Sequence, residues 1–222
     1  MTMEYIQTLE DPRDRQFFPL EETLPHRVAW PVLAAMFRGI ARLEVQGAEN
    51  LPARGPVLLA ANHVTNFDVF ALQFGLTRPL FYMAKAELFR LSLLDVTVRW
   101  LGGFPVFRGE GDQWALRHAR RLLENGQVVV MFPEGTRNKG RGLRRGKTGA
   151  ARLALAADCP IVPLAVDGTQ RLFSRFPLPS PVRMSLGTPI YPAAGDDAEV
   201  LTGRVMRAIA DMLPEAARGL YT

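Results

Sequence analysis

Apolar and polar positions along this chain switch between two periods, and the switching divides it into strand-like and helix-like segments. Short apolar runs bounded by turn residues predict strands over 43–47, 57–61, 80–83, 128–132, 161–166 and 182–186, with a further β-like stretch over 102–108. Helical spacing predicts helices over 67–74, 87–94, 113–124, 150–157 and 198–213. Strands interleaved with helices, without an internal repeat or a linker, predict an α/β fold. It is a single domain with a mixed, largely parallel sheet flanked by helices.

Ahead of this alternation stands a different kind of segment. Residues 1–25 hold Pro12, Pro19 and Pro25 and no sustained period, which predicts an irregular arm. Residues 30–42 then place Trp30, Leu33, Phe37 and Ile40 on one helical face and Arg38 and Arg42 on another, with Pro31 as the first helical residue. Such a helix either covers the core or lies in a membrane interface, with Trp30 and Phe37 in lipid and the arginines among head groups. The chain therefore divides into an N-terminal arm and amphipathic helix over 1–42 and a main domain over 43–222.

Composition narrows the classes. With 222 residues, 48% hydrophobic and 22% charged, the chain is globular, neither disordered nor fibrous. Its longest uncharged stretch, 55–67, is shorter than the roughly 20 apolar residues of a spanning helix and contains Asn62 and His63. The single cysteine, Cys159, excludes an internal disulfide and a cysteine zinc cluster, and no metal site is expected. Glu4, Glu10, Asp11 and Asp14 are unlike a signal peptide, so an intracellular protein is expected. The net charge is +5, and all the basic residues except Lys85, Lys139 and Lys147 are arginine. Arginine grips phosphate with paired hydrogen bonds, so phosphorylated ligands, anionic lipid or nucleic acid are the matching partners.

Two clusters carry candidate chemistry. His63 follows the strand 57–61, and Asp68 lies five residues on, at the start of a helix. An unbroken helix would turn these two apart, so pairing requires His63 in the turn and Asp68 in the first helical turn, with Thr65 or Asn66 as N-cap. Asp68 would then accept from one imidazole nitrogen and leave the other free to take a proton from a hydroxyl. The second cluster, Phe132-Pro-Glu-Gly-Thr-Arg137, ends the strand 128–132: Pro133 stops the ladder and Gly135 permits a sharp turn that would expose Glu134 and Arg137. Residues 137–152 then carry seven cations, spaced by glycines, and no acid, a composition suited to receiving phosphate. The glycine spacing is not that of a P-loop. No G-x-S-x-G nucleophile elbow occurs, so a covalent serine route is unsupported. Pro163, inside an apolar run, is open to a reading as the edge or the start of a strand.

Taken in order, Asn62-His63-x4-Asp68, Gly102 to Arg108, Phe132 to Arg137 and Ile161-Val-Pro-Leu164 resemble the four blocks of the glycerolipid acyltransferases. The likeness is nearest to the bacterial 1-acyl-sn-glycerol-3-phosphate acyltransferases, and it spans about Leu43 to Tyr191. The six-residue match at 132–137 has a chance expectation of about one in a few hundred thousand at average usage. One departure is Phe107, where related sequences often place a polar residue before the arginine.

The resemblance implies that His63 is the general base and Asp68 its orienting partner, with direct attack of a glycerol hydroxyl on a thioester. It further implies that Lys85, Arg108, Glu134, Gly135, Thr136 and Arg137 bind the glycerol phosphate, and that Val162 and Pro163 shape the acyl-donor side. The implied partners are a lysophospholipid acceptor, acyl-CoA or acyl-carrier protein as donor, and the membrane surface at its cytoplasmic face. No cofactor and no nucleic acid are implied. Two alternatives stay open: an acyltransferase of the same fold with another lysolipid, aminolipid or glycolipid acceptor, and a non-enzymatic binder of anionic lipid or nucleic acid through 137–152. Against nucleic acid, that loop lacks aromatics on which bases could stack.

Overall fold

The computed structural model describes residues 11–16, 18, 20, 24–107, 111–193 and 195–222. Its strands are β1 (Ala41–Gln46), β2 (Val57–Ala61), β3 (Leu80–Lys85), β4 (Gly103–Val106), β5 (Val128–Met131), β6 (Ile161–Asp167) and β7 (Ser180–Leu186). Its helices are α1 (Leu24–Ile40), α2 (Asp68–Gly75), α3 (Ser92–Trp100), α4 (Gln113–Glu124), α5 (Gly149–Ala157) and α6 (Ala198–Asp211). One sheet takes all the strands, in the order β1-β7-β6-β2-β5-β3-β4. From β6 across to β4 every neighbour is parallel, whereas β7 runs antiparallel to β6 and carries β1 parallel to itself. The mixed, largely parallel sheet is thus the observed architecture.

Period-2 alternation explains why the central strands lack polar residues. Leu58 and Ala60 of β2 face a core closed by α4, α5 and α6, while Val57, Leu59 and Ala61 face a second core closed by α1 and α2. A strand covered on both faces has no position that water can reach, and all of β2 is buried. No helix among the described residues is long and apolar enough to cross a membrane.

Three local expectations are corrected. The helix expected over 87–94 is instead a 3-10 turn, Ala86–Arg90, followed by α3. Leu91, in extended conformation, separates them. Leu88, Leu91, Leu93 and Leu94, which gave the segment its apolar count, are exposed, and Phe89 is the residue that packs inward.

The N-terminal helix begins at Leu24, with Pro31 inside it rather than at its start, and it ends before Arg42, which lies on β1 and binds Glu44. Pro31 is exposed, so the carbonyl that its ring deprives of a partner belongs to exposed Arg27. Trp30 and Phe37 face protein, not lipid. The indole N–H of Trp30 donates to the Gln73 carbonyl at 3.2 Å, and Phe37 is buried against Phe70 and Phe74. The exposed apolar stripe of α1 is a different one, Leu24, Val28, Val32 and Met36, between 61% and 72% exposed.

Pro163 marks neither an edge nor a strand start, because β6 lies between β2 and β7. Its carbonyl accepts from the N–H of Gly187, just past the end of β7, so the missing N–H faces the end of that ladder and not β2, and proline removes only the return bond to Gly187.

Candidate active site

The five parallel strands β2 to β6 end along one edge of the sheet, so the segments after Ala61, Lys85, Val106, Met131 and Asp167 emerge together there. In open α/β sheets this is where ligand crevices form. β2 and β5, which carry the two candidate clusters, are direct neighbours.

After β2 the chain turns sharply, and Asp68 at the first position of α2 folds back onto the turn. Its Oδ2 lies 2.8 Å from Nδ1 of His63 and accepts the main-chain N–H groups of Val64 and Thr65 at 2.6 and 2.9 Å. A carboxylate only accepts, so Nδ1 is the protonated nitrogen and Nε2 is the one free to take a proton. The imidazole stacks on Phe132, with centroids 4.0 Å apart, and His63 and Asp68 are both buried. The expected N-cap differs from the observed one. Phe67 occupies that position without a side-chain capping bond, Thr65 Oγ1 accepts instead from the N–H of Phe67, and Asn66 turns toward Arg137.

After β5, Gly135 makes its turn at φ 65°, and Lys147 lies over it, its chain 3.1 Å from where a Cβ would stand. Glu134 is not exposed as the sequence suggested; it is 3% exposed. Its carboxylate accepts from the N–H of His63 at 2.7 Å, the N–H of Arg144 at 3.0 Å and the Asn138 amide at 3.1 and 3.3 Å. Burial raises its pKa above the ordinary carboxylate value, while these donors pull the other way. The two loops are joined again where the N–H of Asn138 donates to the His63 carbonyl at 2.7 Å and that of Lys139 to the Val64 carbonyl at 3.2 Å. Arg137 reaches across to Asn66 Oδ1 at 2.9 Å.

The cationic loop beyond is pinned rather than loose. Leu143 is buried, exchanging main-chain hydrogen bonds with Ala217 and Leu220, and the N–H of Gly146 donates to the Tyr221 hydroxyl at 3.1 Å. Among the described residues Lys139, Arg141, Arg144, Arg145, Lys147 and Arg152 make no ion pair with a carboxylate. All six are exposed, and the loop that carries five of them is tied to the His63 turn through Lys139 and Glu134.

The structure thus brings together His63, Asp68, Glu134, Gly135, Thr136 and Arg137. Lys85, at the exposed end of β3, shares the same sheet edge. Arg108 lies outside the described residues; Phe107 before it is exposed, and its N–H donates to Asp112. Val162 and Pro163 are not at the edge. Both are buried within β6, with Pro163 in register with Ala60 of β2. Of the other histidines, His118 is buried against Phe104 and stacked on Trp114 at an interplanar angle of 3°, remote from the dyad in the core on the α4 side. Burial, helped by the charge of Arg121, pushes its pKa down to about 4.

Residues that sequence reasoning missed complete the site: Phe132 as the stacking partner, Asn138 as the bridge between loops, and Thr169, whose hydroxyl donates to Asp68 Oδ1 at 2.5 Å. The one local signal for Thr169 is a glycine before it, at the end of an apolar strand.

A doubly covered sheet with a His-Asp pair and a cationic turn at its strand ends defines the class: the chain belongs to the acyltransferase family, whose model, described as Acyltransferase, matches residues 42–167. Among curated relatives it is 31% identical over 156 residues to the 1-acyl-sn-glycerol-3-phosphate acyltransferase of Bacillus subtilis, covering 68% of this chain and 75% of that protein. To the 1-acyl-sn-glycerol-3-phosphate acyltransferase of Borreliella burgdorferi it is 27% identical over 134 residues, covering 60% of this chain and 54% of that protein. The chain spans about half the length of several further curated relatives that it matches, as it does of the Borreliella protein. The fold is also that of the 1-acyl-sn-glycerophosphate (LPA) acyltransferase PlsC of Thermotoga maritima, with a TM-score of 0.67 at 24% identity over 83% of this chain and 75% of that one.

Proposed function

We propose that this protein transfers a fatty acyl group from a thioester donor to the free hydroxyl of 1-acyl-glycerol-3-phosphate, giving phosphatidic acid. The observation that carries the reading is the direct hydrogen bonding of the His63 turn to the cationic turn at 134–139. A base and a phosphate receiver are thereby held at one sheet edge, as an alcohol tethered through its phosphate requires.

In this reading Arg137, with Arg108 and Lys85, holds the acceptor phosphate, and Gly135 and Thr136 form the turn that presents the arginine. Nε2 of His63 takes the hydroxyl proton as the oxygen attacks the thioester carbonyl. The carbon–sulfur bond then breaks, and the departing thiolate takes the proton from the imidazolium. Nδ1–H stays on Asp68 throughout, which fixes the ring and stabilises its charged form. Glu134 acts by shaping both loops, since its oxygens are occupied by protein donors. General-base help is worth about 10² to 10⁴-fold, so clamping the phosphate to position the hydroxyl supplies much of the remaining acceleration. Val162 and Pro163, buried within β6 beside β2, shape the acyl-donor side only as part of the sheet that carries the site.

The acceptor lives in a bilayer, so the protein works at a membrane surface, on the cytoplasmic face. The stripe Leu24, Val28, Val32 and Met36 supports docking there, as apolar area that the fold leaves uncovered.

Thiol release from acyl-CoA and from acyl-carrier protein, each with and without lysophosphatidic acid, tests the reading. Release is expected only with the acceptor, and His63→Ala is expected to lower it by about 10² to 10⁴-fold with the fold intact. Turnover at the wild-type rate in that variant would remove His63 as the base, and release indifferent to the acceptor would remove the proposed reaction.

A further inference from the structure

Asp68 is fully buried, and a buried carboxylate keeps its aim only if both oxygens are held. Oδ2 is held three times over, by the His63 imidazole and by the N–H groups of Val64 and Thr65. Oδ1 has one close donor, the Thr169 hydroxyl at 2.5 Å. The Thr65 hydroxyl, which accepts the N–H of Phe67, also donates to Oδ1, but at 3.5 Å, far longer than the bond from Thr169. We propose that Thr169 is a positioning residue of the His63–Asp68 pair: its hydroxyl anchors the far oxygen of Asp68, so that the near oxygen stays aimed at Nδ1–H while the imidazole gains and loses a proton. The inference rests on the reading of His63 as general base given above.

Thr169 is brought there by the sheet, not by local sequence. It follows β6, the parallel neighbour of β2, and the two strand ends are locked together by Asn62. The Asn62 amide donates to the Val166 carbonyl at 2.9 Å and accepts the Val166 N–H at 2.7 Å. Gly168 then turns the chain at φ 106°, its backbone so close to β7 that a Cβ would stand 2.3 Å from the Pro181 carbonyl oxygen. That turn delivers Thr169 inward, 2% exposed, while the neighbouring Gln170 and Arg171 both donate to Asp167 on the outside. Thr169 Oγ1 makes its hydrogen bond to Asp68 alone among the described residues. A structural threonine in a core would satisfy its hydroxyl on a main-chain carbonyl; this one spends its donor on the carboxylate that orients the base.

Valine has the shape of threonine without the hydroxyl, and serine has the hydroxyl without the methyl. Thr169→Val is therefore expected to lower kcat by about 10- to 100-fold, as the loss of a hydrogen bond to a buried charge does, with acceptor and donor KM unchanged. Thr169→Ser is expected to stay within about threefold of wild type. A merely structural role predicts the reverse order, because serine leaves a void that valine fills. The second readout needs no turnover. In ¹⁵N-labelled protein the Nδ1 proton of His63 should exchange slowly with solvent in wild type and Thr169→Ser and at least about tenfold faster in Thr169→Val. Serine falling with valine, the loss appearing in KM, or Nδ1–H exchange unmoved by the valine would each overturn the inference. Should the valine variant not fold, Thr169→Ala against Thr169→Ser keeps the exchange and KM criteria, though not the activity order, because alanine leaves a larger void than serine. A wild-type protein without acyl transfer overturns the proposed function instead, and the exchange measurement still decides whether Thr169 orders the pair.

Discussion

The main-chain N–H of His63 donates to Oε1 of Glu134 at 2.7 Å, and the other oxygen of that carboxylate accepts the main-chain N–H of Arg144 at 3.0 Å. One buried side chain thus ties the loop bearing the base to the loop bearing the cations. Glu134→Gln is nearly isosteric but replaces one acceptor with a donor, so an amide –NH₂ must meet a main-chain N–H that has no other partner among the described residues. The expected result is a loss of about 1–3 kcal/mol in unfolding free energy together with a fall in kcat. Urea denaturation and thiol release measure the two. If stability were unchanged and only the acceptor KM rose, Glu134 would be touching substrate rather than holding the loops.

A second expectation concerns α1. Val28 and Val32 belong to its exposed stripe, whereas Trp30 and Phe37 pack on α2. Val28→Glu with Val32→Glu should lower binding to vesicles of anionic phospholipid by tenfold or more, since each apolar side chain moved from water contributes about 1.5–3 kcal/mol. Thermal stability should hold, as should turnover of a short-chain acceptor dissolved in water. Vesicle binding that survives the double substitution would show that another surface meets the membrane.

These residues also show where the sequence was legible. The His63–Asp68 pair could be read because both partners sit in one turn after an apolar strand, and the sheet because its covered strands admit no polar residue. The orientation of α1 could not, because apolar residues recur on two of its sides and periodicity alone does not say which side meets protein. Glu134 reads as a surface charge by residue type, yet its burial is set by donors up to 71 residues away. Thr169 lies 101 residues from Asp68 and Tyr221 lies 75 from Gly146, so both contacts exist only once β6 stands beside β2 and the C-terminal turns close over the cationic loop.

His118 offers a test in which the direction follows from burial. Its ring lies parallel to that of Trp114, and burial holds its pKa at about 4, below the ordinary 6.5. The folded chain therefore refuses a proton that the unfolded chain accepts, so its contribution to stability is complete above pH 6.5 and is lost as the pH falls toward 4, at about 1.4 kcal/mol per unit. Glu134 has the opposite slope: its raised pKa means that the folded chain holds that proton more tightly, which favours the fold toward acid. Comparing wild type with His118→Phe cancels Glu134 and every other shared group. Phenylalanine keeps the aromatic stack and cannot titrate, so the stability of the variant relative to wild type should rise by about 2 kcal/mol between pH 7 and pH 5. Urea denaturation at the two pH values measures it. A difference that does not change with pH would mean that His118 accepts its proton in the folded state as readily as in the unfolded one, and that the Trp114–Phe104 pocket does not exclude the charge.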